Sequence, residues 1–196
     1  MLHVVNGDGV ADQLRQGVVQ GDLQVWEAYA SSEPEGLIAL LEEDLSPLPY
    51  MREAILSHLS RLPSTVNGLG CVEQAVLELV AQGTQRPYDL FREVGRRLSR
   101  LGLGDVEFRY RLAALAKEPF ALLGIKGWEE PPSIDRPLAG DADSLVALTE
   151  LGRQVLAGAK DWAALKPLDE WFGGIHLQGL PCPWRWDPAS ETIRPG

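Results

Sequence analysis

The chain has 196 residues, of which 45% are hydrophobic, so it is long enough to bury one good core or two small ones. It contains neither the ~18–20 consecutive apolar residues of a membrane span nor a signal peptide, which predicts a cytoplasmic protein with no membrane partner. The net charge of −10 counts against a nucleic-acid binder, because an acidic surface repels phosphate backbones.

Residues 1–31 are predicted to form a small β-α-β unit, with strands at 2–5 and 23–26 and a helix between them. Two strands alone are marginally stable, and their unpaired edges favour pairing with a protein partner or with a second copy of the chain. This pairing is the basis of one functional alternative, a protein–protein or self-association module forming a homodimer.

A turn of four residues separates the first predicted strand from the helix: Asn6, Gly7, Asp8 and Gly9. Backbone N–H groups at such a helix start can hold an anion, so the turn is a candidate ligand site for a phosphate or nucleotide binder, or for an enzyme. It lacks the third glycine and the Lys-Ser/Thr pair of the known phosphate-binding motifs, and Asp8 would repel a phosphate. A plain strand-to-helix turn is the favoured interpretation.

Residues 32–70 are predicted to be a helical linker. Its first helix extends from Ser32 to about Asp44, and Ser32 fits a capping box at its start. The second carries apolar residues at helical spacing from Met51 to Leu62 and ends at Pro63, before a turn-rich connection.

Three amphipathic helices are predicted next. The first begins at Cys71 and the second at Pro87. The third follows Asp105, a good N-cap, and ends before Pro119.

Two strands and a short helix complete this part of the chain. The strands are predicted at 120–125 and 145–148, on either side of a loop rich in Pro and Gly. Thr149 then caps a short helix that Gly158 closes. Three helices followed by this strand–Thr–helix step resemble a winged-helix domain, which predicts a winged-helix-like unit at residues 71–158.

Basic residues are concentrated on the second and third of these helices. The candidate nucleic-acid-binding set is Arg92, Arg96, Arg97, Arg100, Arg109 and Lys117. In winged-helix domains the third helix enters the major groove and basic side chains fix it on phosphates; Arg109 and Lys117 are predicted on a face of that helix away from its apolar residues. The loop before the last strand is acidic, however, which favours a solvated face paired with Asp and Glu.

Residues 159–196 are predicted to be a Trp-rich cap, since four of the six tryptophans follow position 160. A helix is predicted from Asp161 to Phe172, and strands at 175–177 and 184–186. Residues 190–196 are predicted to be loose. The two cysteines and three histidines show no ligand spacing, so no disulfide, metal site, cofactor or catalytic residue is predicted.

Three segments together resemble a bacterial family catalogued as a domain of unknown function. They are LHVVNGD at 2–8, LPY through PSTVNGL at 48–69, and LTELGRQVLAG through WRWD at 148–187. They are similar to that family's LHxVNGD opening, its middle stretch and its C-terminal LTxxGRxVLAG…DxWxGGxHL…WRWD signature. Members are usually longer, so this chain looks like a shortened member. The family has no settled activity, and the resemblance therefore implies fold more than function.

The predicted fold is α+β and mostly helical, with a β-α-β unit, a helical linker, a winged-helix-like domain and a Trp-rich cap. The leading functional hypothesis is a non-enzymatic regulatory binding module of winged-helix type that uses its basic helices, with nucleic acid as the candidate partner. The alternatives are the self-association module and the ligand binder or enzyme described above.

Overall fold

The structure is a computed structural model that describes residues 23–128 and 143–196. These residues form a mixed α+β fold. The α-helices are α1 (residues 23–30), α2 (Glu35–Leu41), α3 (Met51–Leu59), α4 (Cys71–Ala81), α5 (Pro87–Arg97), α6 (Asp105–Leu115) and α7 (Glu150–Leu156). The strands are β1 (Leu123–Lys126), β2 (Leu145–Leu148), β3 (Leu168–Phe172), β4 (Ile175–Gly179), β5 (Trp184–Asp187) and β6 (Thr192–Pro195). Within the described ranges no helix is long and apolar enough to cross a bilayer.

One hydrophobic core, called core 1, contains the buried side chains of α4 to α7, β1, β2 and Trp162. Helix α4 presents Val72, Val76 and Leu77 to it with no exposed surface. Strands β1 and β2 pair antiparallel. Val146 N on β2 also donates a hydrogen bond to Gln85 O at 2.8 Å, which brings the connection between α4 and α5 alongside the strand.

A second hydrophobic core, called core 2, joins parts of the chain that are distant in sequence. Helices α1 to α3 supply Ala28, Leu37 and Leu59, and the hairpins β3–β4 and β5–β6 supply Ile175 and Trp186, among others. The residues predicted as a linker therefore pack against those predicted as a cap. The division of the chain into four units stays a prediction.

The two cores meet at the junction loop, residues 63–70. Trp186 N donates to Pro63 O at 2.9 Å, and Thr65 N donates to Trp186 O at 2.7 Å. On the other side of the loop, Trp162 N donates to Asn67 O at 2.8 Å. These backbone bonds attach β5 and the Trp162 turn to the same short segment.

The predicted step from β2 into α7 is confirmed. Strand β2 spans Leu145–Leu148, and Thr149 Oγ1 accepts a hydrogen bond from Gly152 N at 2.9 Å. Gly158 follows the helix with φ +71°, a left-handed conformation that glycine adopts without steric strain. The predicted starts of α4 at Cys71 and of α5 at Pro87 are also confirmed.

The strand predicted at 23–26 is wrong, because those residues lie in α1. The run continues into Glu27-Ala28-Tyr29-Ala30, and Ala28 is buried in core 2 three residues after Val25, which packs on the same core. Spacing of three residues places both on one helical face. The unpaired edge expected from this strand is therefore lost as an argument for self-association. The other predicted strand, the helix at 10–15 and the turn Asn6–Gly9 lie outside the described residues.

The helix predicted from Asp161 to Phe172 is also wrong. Only a 3-10 turn, Trp162–Ala164, is present, and β3 begins at Leu168. Pro167 cannot continue a helix, and Gly173-Gly174 forms the two-residue loop of the β3–β4 hairpin. Residues 190–196 are not loose, since Thr192–Pro195 pairs with β5.

Two predicted helix caps are placed differently. Gly104 occupies the N-cap position of α6, and the Asp105 carboxylate accepts a bond from Val106 N inside the first turn. Ser32 does not cap α2, which begins after Pro34 and covers only Glu35–Leu41. In both cases the backbone enters the helix at a residue other than the one with the favoured side chain.

Candidate functional site

The basic residues of α5 and the turn after it are largely paired with acidic neighbours. Three of them form ion pairs: Arg96 with Glu93 (2.6 Å), Arg97 with Glu78 (3.2 Å) and Arg100 with Glu53 (3.2 Å). Arg92 and Lys117 are exposed. Pairing at the surface contributes little stability, but it reduces the positive charge that this face offers to a phosphate backbone.

Arg109 does not lie on an exposed face of α6, so its predicted position is wrong. Its side chain is 1% exposed, and its guanidinium carbon lies 5.0 Å from the centroid of the Trp128 ring. Arg109 follows the buried Phe108 on α6. Trp128 packs against core 1 and lies against Arg109, so the covered part of the helix is wider than its apolar stripe. The six predicted basic residues are therefore not gathered on one accessible surface.

A pocket of about 380 Å³ lies where core 1 and core 2 meet, and is called the junction pocket. Its walls come from the start of α4, the exposed side of α6, the junction loop and β3. The charged side chains that line it are Arg61, Glu73, Glu107, Arg111 and Glu170. Since ligand sites are concave and combine apolar walls with a few convergent polar groups, this is the candidate functional site.

An ion-pair network fixes four of these charges. Arg111 lies 2.6 Å from Glu73 and 3.2 Å from Glu107, and Arg61 lies 2.9 Å from the same Glu107 oxygen. Burial opposes the charged form of Arg111, yet the two adjacent carboxylates raise the pKa of its guanidinium above the ordinary value. The network therefore holds α6 against α4 and against the segment that follows α3, with the charges in defined positions.

Glu170 is the unusual member of the pocket. It is half-buried on β3 and, within residues 23–128 and 143–196, its carboxylate makes no hydrogen bond or ion pair. Burial raises the pKa of Glu170, and the negative charge of Glu73 raises it further, against the opposite effect of Lys166. A carboxyl group that faces a cavity without a protein partner is a typical ligand-binding group.

Aromatic side chains surround the pocket. Trp162 is buried below it, with Lys166 Nζ 3.8 Å from the ring centroid. Trp171 is 64% exposed and stacks nearly parallel on His176, with ring centroids 4.0 Å apart. His176 Nε2 in turn lies 2.7 Å from Asp169 Oδ1, which fixes the orientation of this pair. An open indole surface is thereby held beside the cavity.

The sequence interpretation missed this site. Glu170 and Trp171 were assigned to a helix, and the Gly-Gly hairpin signal at 173–174 would have placed them on a strand. Glu73 lies in the first turn of α4 beside Gln74, and its burial is seen only in the structure, so the sequence carried no signal for it. No metal-binding group of three or more His, Cys, Asp or Glu residues occurs among the described residues.

Glu170→Gln is expected to stabilise the folded protein near neutral pH, with an advantage that shrinks as the pH falls. The pKa of Glu170 is raised above 4.5 in the folded state, so the folded chain binds this proton more tightly than the unfolded chain. The free energy of unfolding of the wild type therefore falls as the pH rises from the pKa of this carboxyl in the unfolded chain through its higher pKa in the folded chain. Urea denaturation of both proteins from about pH 4 to about pH 8 measures the difference. A difference in the free energy of unfolding that does not change with pH would contradict a raised pKa for Glu170.

Comparison of the whole chain with family models, curated proteins and solved structures finds no match. The family resemblance stays an expectation from the sequence, and the geometry of the junction pocket carries the functional argument.

Proposed function

We propose that residues 71–158 form a winged-helix-like unit. The order α4, α5, α6, β1, β2 supports this assignment, as does the antiparallel pairing of the two strands. The hydrogen bond from Val146 N to Gln85 O also joins the connection between α4 and α5 to β2. Together these features give three helices and a small sheet around core 1.

We propose that the protein is a non-enzymatic regulatory binding module whose ligand is a small polar molecule in the junction pocket. The observation that carries the proposal is the Glu170 carboxylate, which has no partner among the described residues and lines a cavity of about 380 Å³. Small-ligand pockets have volumes of about 300–1,000 Å³, so the cavity suits a small molecule. Burying a carboxylate without a hydrogen-bond partner costs free energy. Such a cost is expected at a functional site, where a bound ligand supplies the partner.

The position of the pocket supports a regulatory role. Helix α6 contributes Glu107, Tyr110 and Arg111 to it, and in winged-helix domains the third helix is the recognition element. A bound molecule would therefore contact that helix and β3 at the same time. The ion pairs of Arg96, Arg97 and Arg100 make the pocket a better-supported site than the basic helices.

Thermal unfolding of the full chain, measured with a panel of small polar compounds, tests the proposal. The panel contains monosaccharides, amino acids, nucleosides, simple amines and inorganic phosphate. We expect one class to raise the melting temperature of the wild type, because a ligand that binds only the folded state stabilises it. Glu170→Ala is expected to abolish the increase.

An Arg96→Ala, Arg97→Ala double variant is the control, since both residues are exposed and lie outside the pocket lining. It should respond to the ligand as the wild type does. A panel with no active class, or an increase that survives Glu170→Ala, would overturn the proposal. Salt-dependent binding of duplex DNA that disappears in the double variant would move the functional site to α5.

A further inference from the structure

We infer that the junction pocket recognises a monosaccharide ring, an inference that rests on the proposed function. The first argument is the balance of charge. Three carboxylates, Glu73, Glu107 and Glu170, face two lining arginines, Arg61 and Arg111, with Lys166 packed behind on Trp162. The three carboxylates and two arginines of the lining sum to −1, and four of these five charges are paired with one another, so Glu170 is the charge left for a ligand. The site therefore disfavours an anion such as phosphate.

The second argument is the hydrogen-bonding inventory. Carboxylates only accept hydrogen bonds, and guanidinium groups only donate them. A phosphate offers acceptors alone and would face three carboxylates, whereas an ammonium offers donors alone and would face two guanidinium groups. A hydroxyl group both donates and accepts, so a ring bearing several hydroxyls satisfies both kinds of side chain. Glu170, which lacks a protein partner among the described residues, is the acceptor available to it.

The third argument is the aromatic surface beside the pocket. Trp171 is 64% exposed and stacked on His176 at a centroid distance of 4.0 Å, so its indole is held in a defined orientation. Tyr110, also at the pocket, is 55% exposed. Large rigid apolar surfaces next to polar groups suit a molecule with C–H faces and a hydroxyl edge, which is the construction of a sugar ring. Phosphate and simple amines have no such face.

Ligand-observed saturation-transfer NMR on the full chain tests this inference. The probes are D-glucose, D-galactose, D-mannose and N-acetyl-D-glucosamine, with inorganic phosphate and methylammonium as the competing chemistries. We expect at least one sugar to bind, with its ring protons receiving the strongest saturation from the aromatic side chains. Neither phosphate nor methylammonium is expected to compete with it.

Trp171→Ala is expected to weaken sugar binding about tenfold, a factor equivalent to the stacking contribution of one aromatic face. Trp26→Ala is the matched control, because Trp26 is also 64% exposed but lies on α1, outside the pocket lining. Both side chains are on the surface, so both variants should fold, and thermal unfolding verifies this. The control should bind sugar as the wild type does.

The outcomes separate this inference from the proposed function. Preferential binding of methylammonium that Glu170→Gln weakens, or of phosphate that Glu170→Gln strengthens, would overturn the sugar assignment and leave the pocket as the ligand site. Sugar binding that Trp171→Ala does not change would place the sugar elsewhere and overturn the inference. The absence of binding by every probe and by every class of the wider panel would overturn both.

Discussion

Replacing Arg185 with Leu is expected to destabilise the protein by about 2–3 kcal/mol, because it removes the hydrogen bonds of a buried charged group. Arg185 is 9% exposed on β5, and its Nη2 lies 2.7 Å from Asp161 Oδ2. The same guanidinium donates to the carbonyl oxygens of Ser64 and Pro63 in the junction loop. The substitution therefore leaves Asp161 Oδ2 without this donor and removes one of the two donors of each carbonyl oxygen, since Trp186 N still donates to Pro63 O and Gly68 N to Ser64 O.

Urea denaturation followed by tryptophan fluorescence measures this loss. Arg194→Leu is the matched control, because Arg194 faces Arg185 across the β5–β6 hairpin and lies 2.7 Å from Asp187. Its side chain is 56% exposed, so water solvates the charges and the loss should be far smaller. Equal losses of stability for the two variants would contradict the prediction that the buried contacts of Arg185 stabilise the fold more than the exposed ion pair of Arg194.

Gly152→Ala is expected to destabilise the protein by about 3 kcal/mol through overpacking. A Cβ atom at this position would lie 2.1 Å from the carbonyl oxygen of Leu122, and backbone cannot move aside as a flexible side chain can. Thr149 N also donates to Leu122 O at 3.0 Å, which holds the start of α7 close to that segment. The close approach of α7 to the chain before β1 therefore requires glycine.

The sign of the Gly152→Ala effect separates packing from helix propensity. Gly152 lies within a helix, where alanine alone would be favoured by about 1 kcal/mol. Gly95→Ala provides the comparison, since Gly95 lies within α5 and a Cβ there would meet nothing within 4 Å. We expect the Gly95 variant to gain about 1 kcal/mol in thermal or urea unfolding. A gain at both positions would mean that α7 can move away from Leu122 without loss.

Local patterns in the sequence predicted the helices and strands of core 1 well. Apolar residues at helical spacing, Pro87 at a helix start and Thr149 at an N-cap are each decided by a few neighbouring residues. The secondary structure after Asp161 is determined by strand pairing instead. Leu168–Phe172 carries an apolar spacing compatible with a helix, and its strand conformation results from pairing with Ile175–Gly179 across the two glycines.

The candidate site was less accessible to sequence reasoning, because its members come from four separate parts of the chain. Arg61, Glu73, Arg111 and Glu170 have no common motif and meet only when core 1 and core 2 are assembled. The burial of Arg109 depends on Trp128, a residue that follows β1 and was not part of the helical pattern. Periodicity assigns a residue to a helical face, but only the tertiary structure shows what covers that face.

The composition of core 2 has a consequence for how the chain folds. Its buried residues come from positions up to Leu62 and from Ala163 onward, so residues 63–162 form a closed loop between its two halves. Closing so long a loop in an unfolded chain carries a large entropic penalty, and contacts between distant positions form slowly. Core 1 is built from consecutive elements within that loop, and we expect it to bring the two halves together as it folds. A substitution that slows the folding of core 1 should therefore delay core 2 as well, even where it touches none of the residues of core 2.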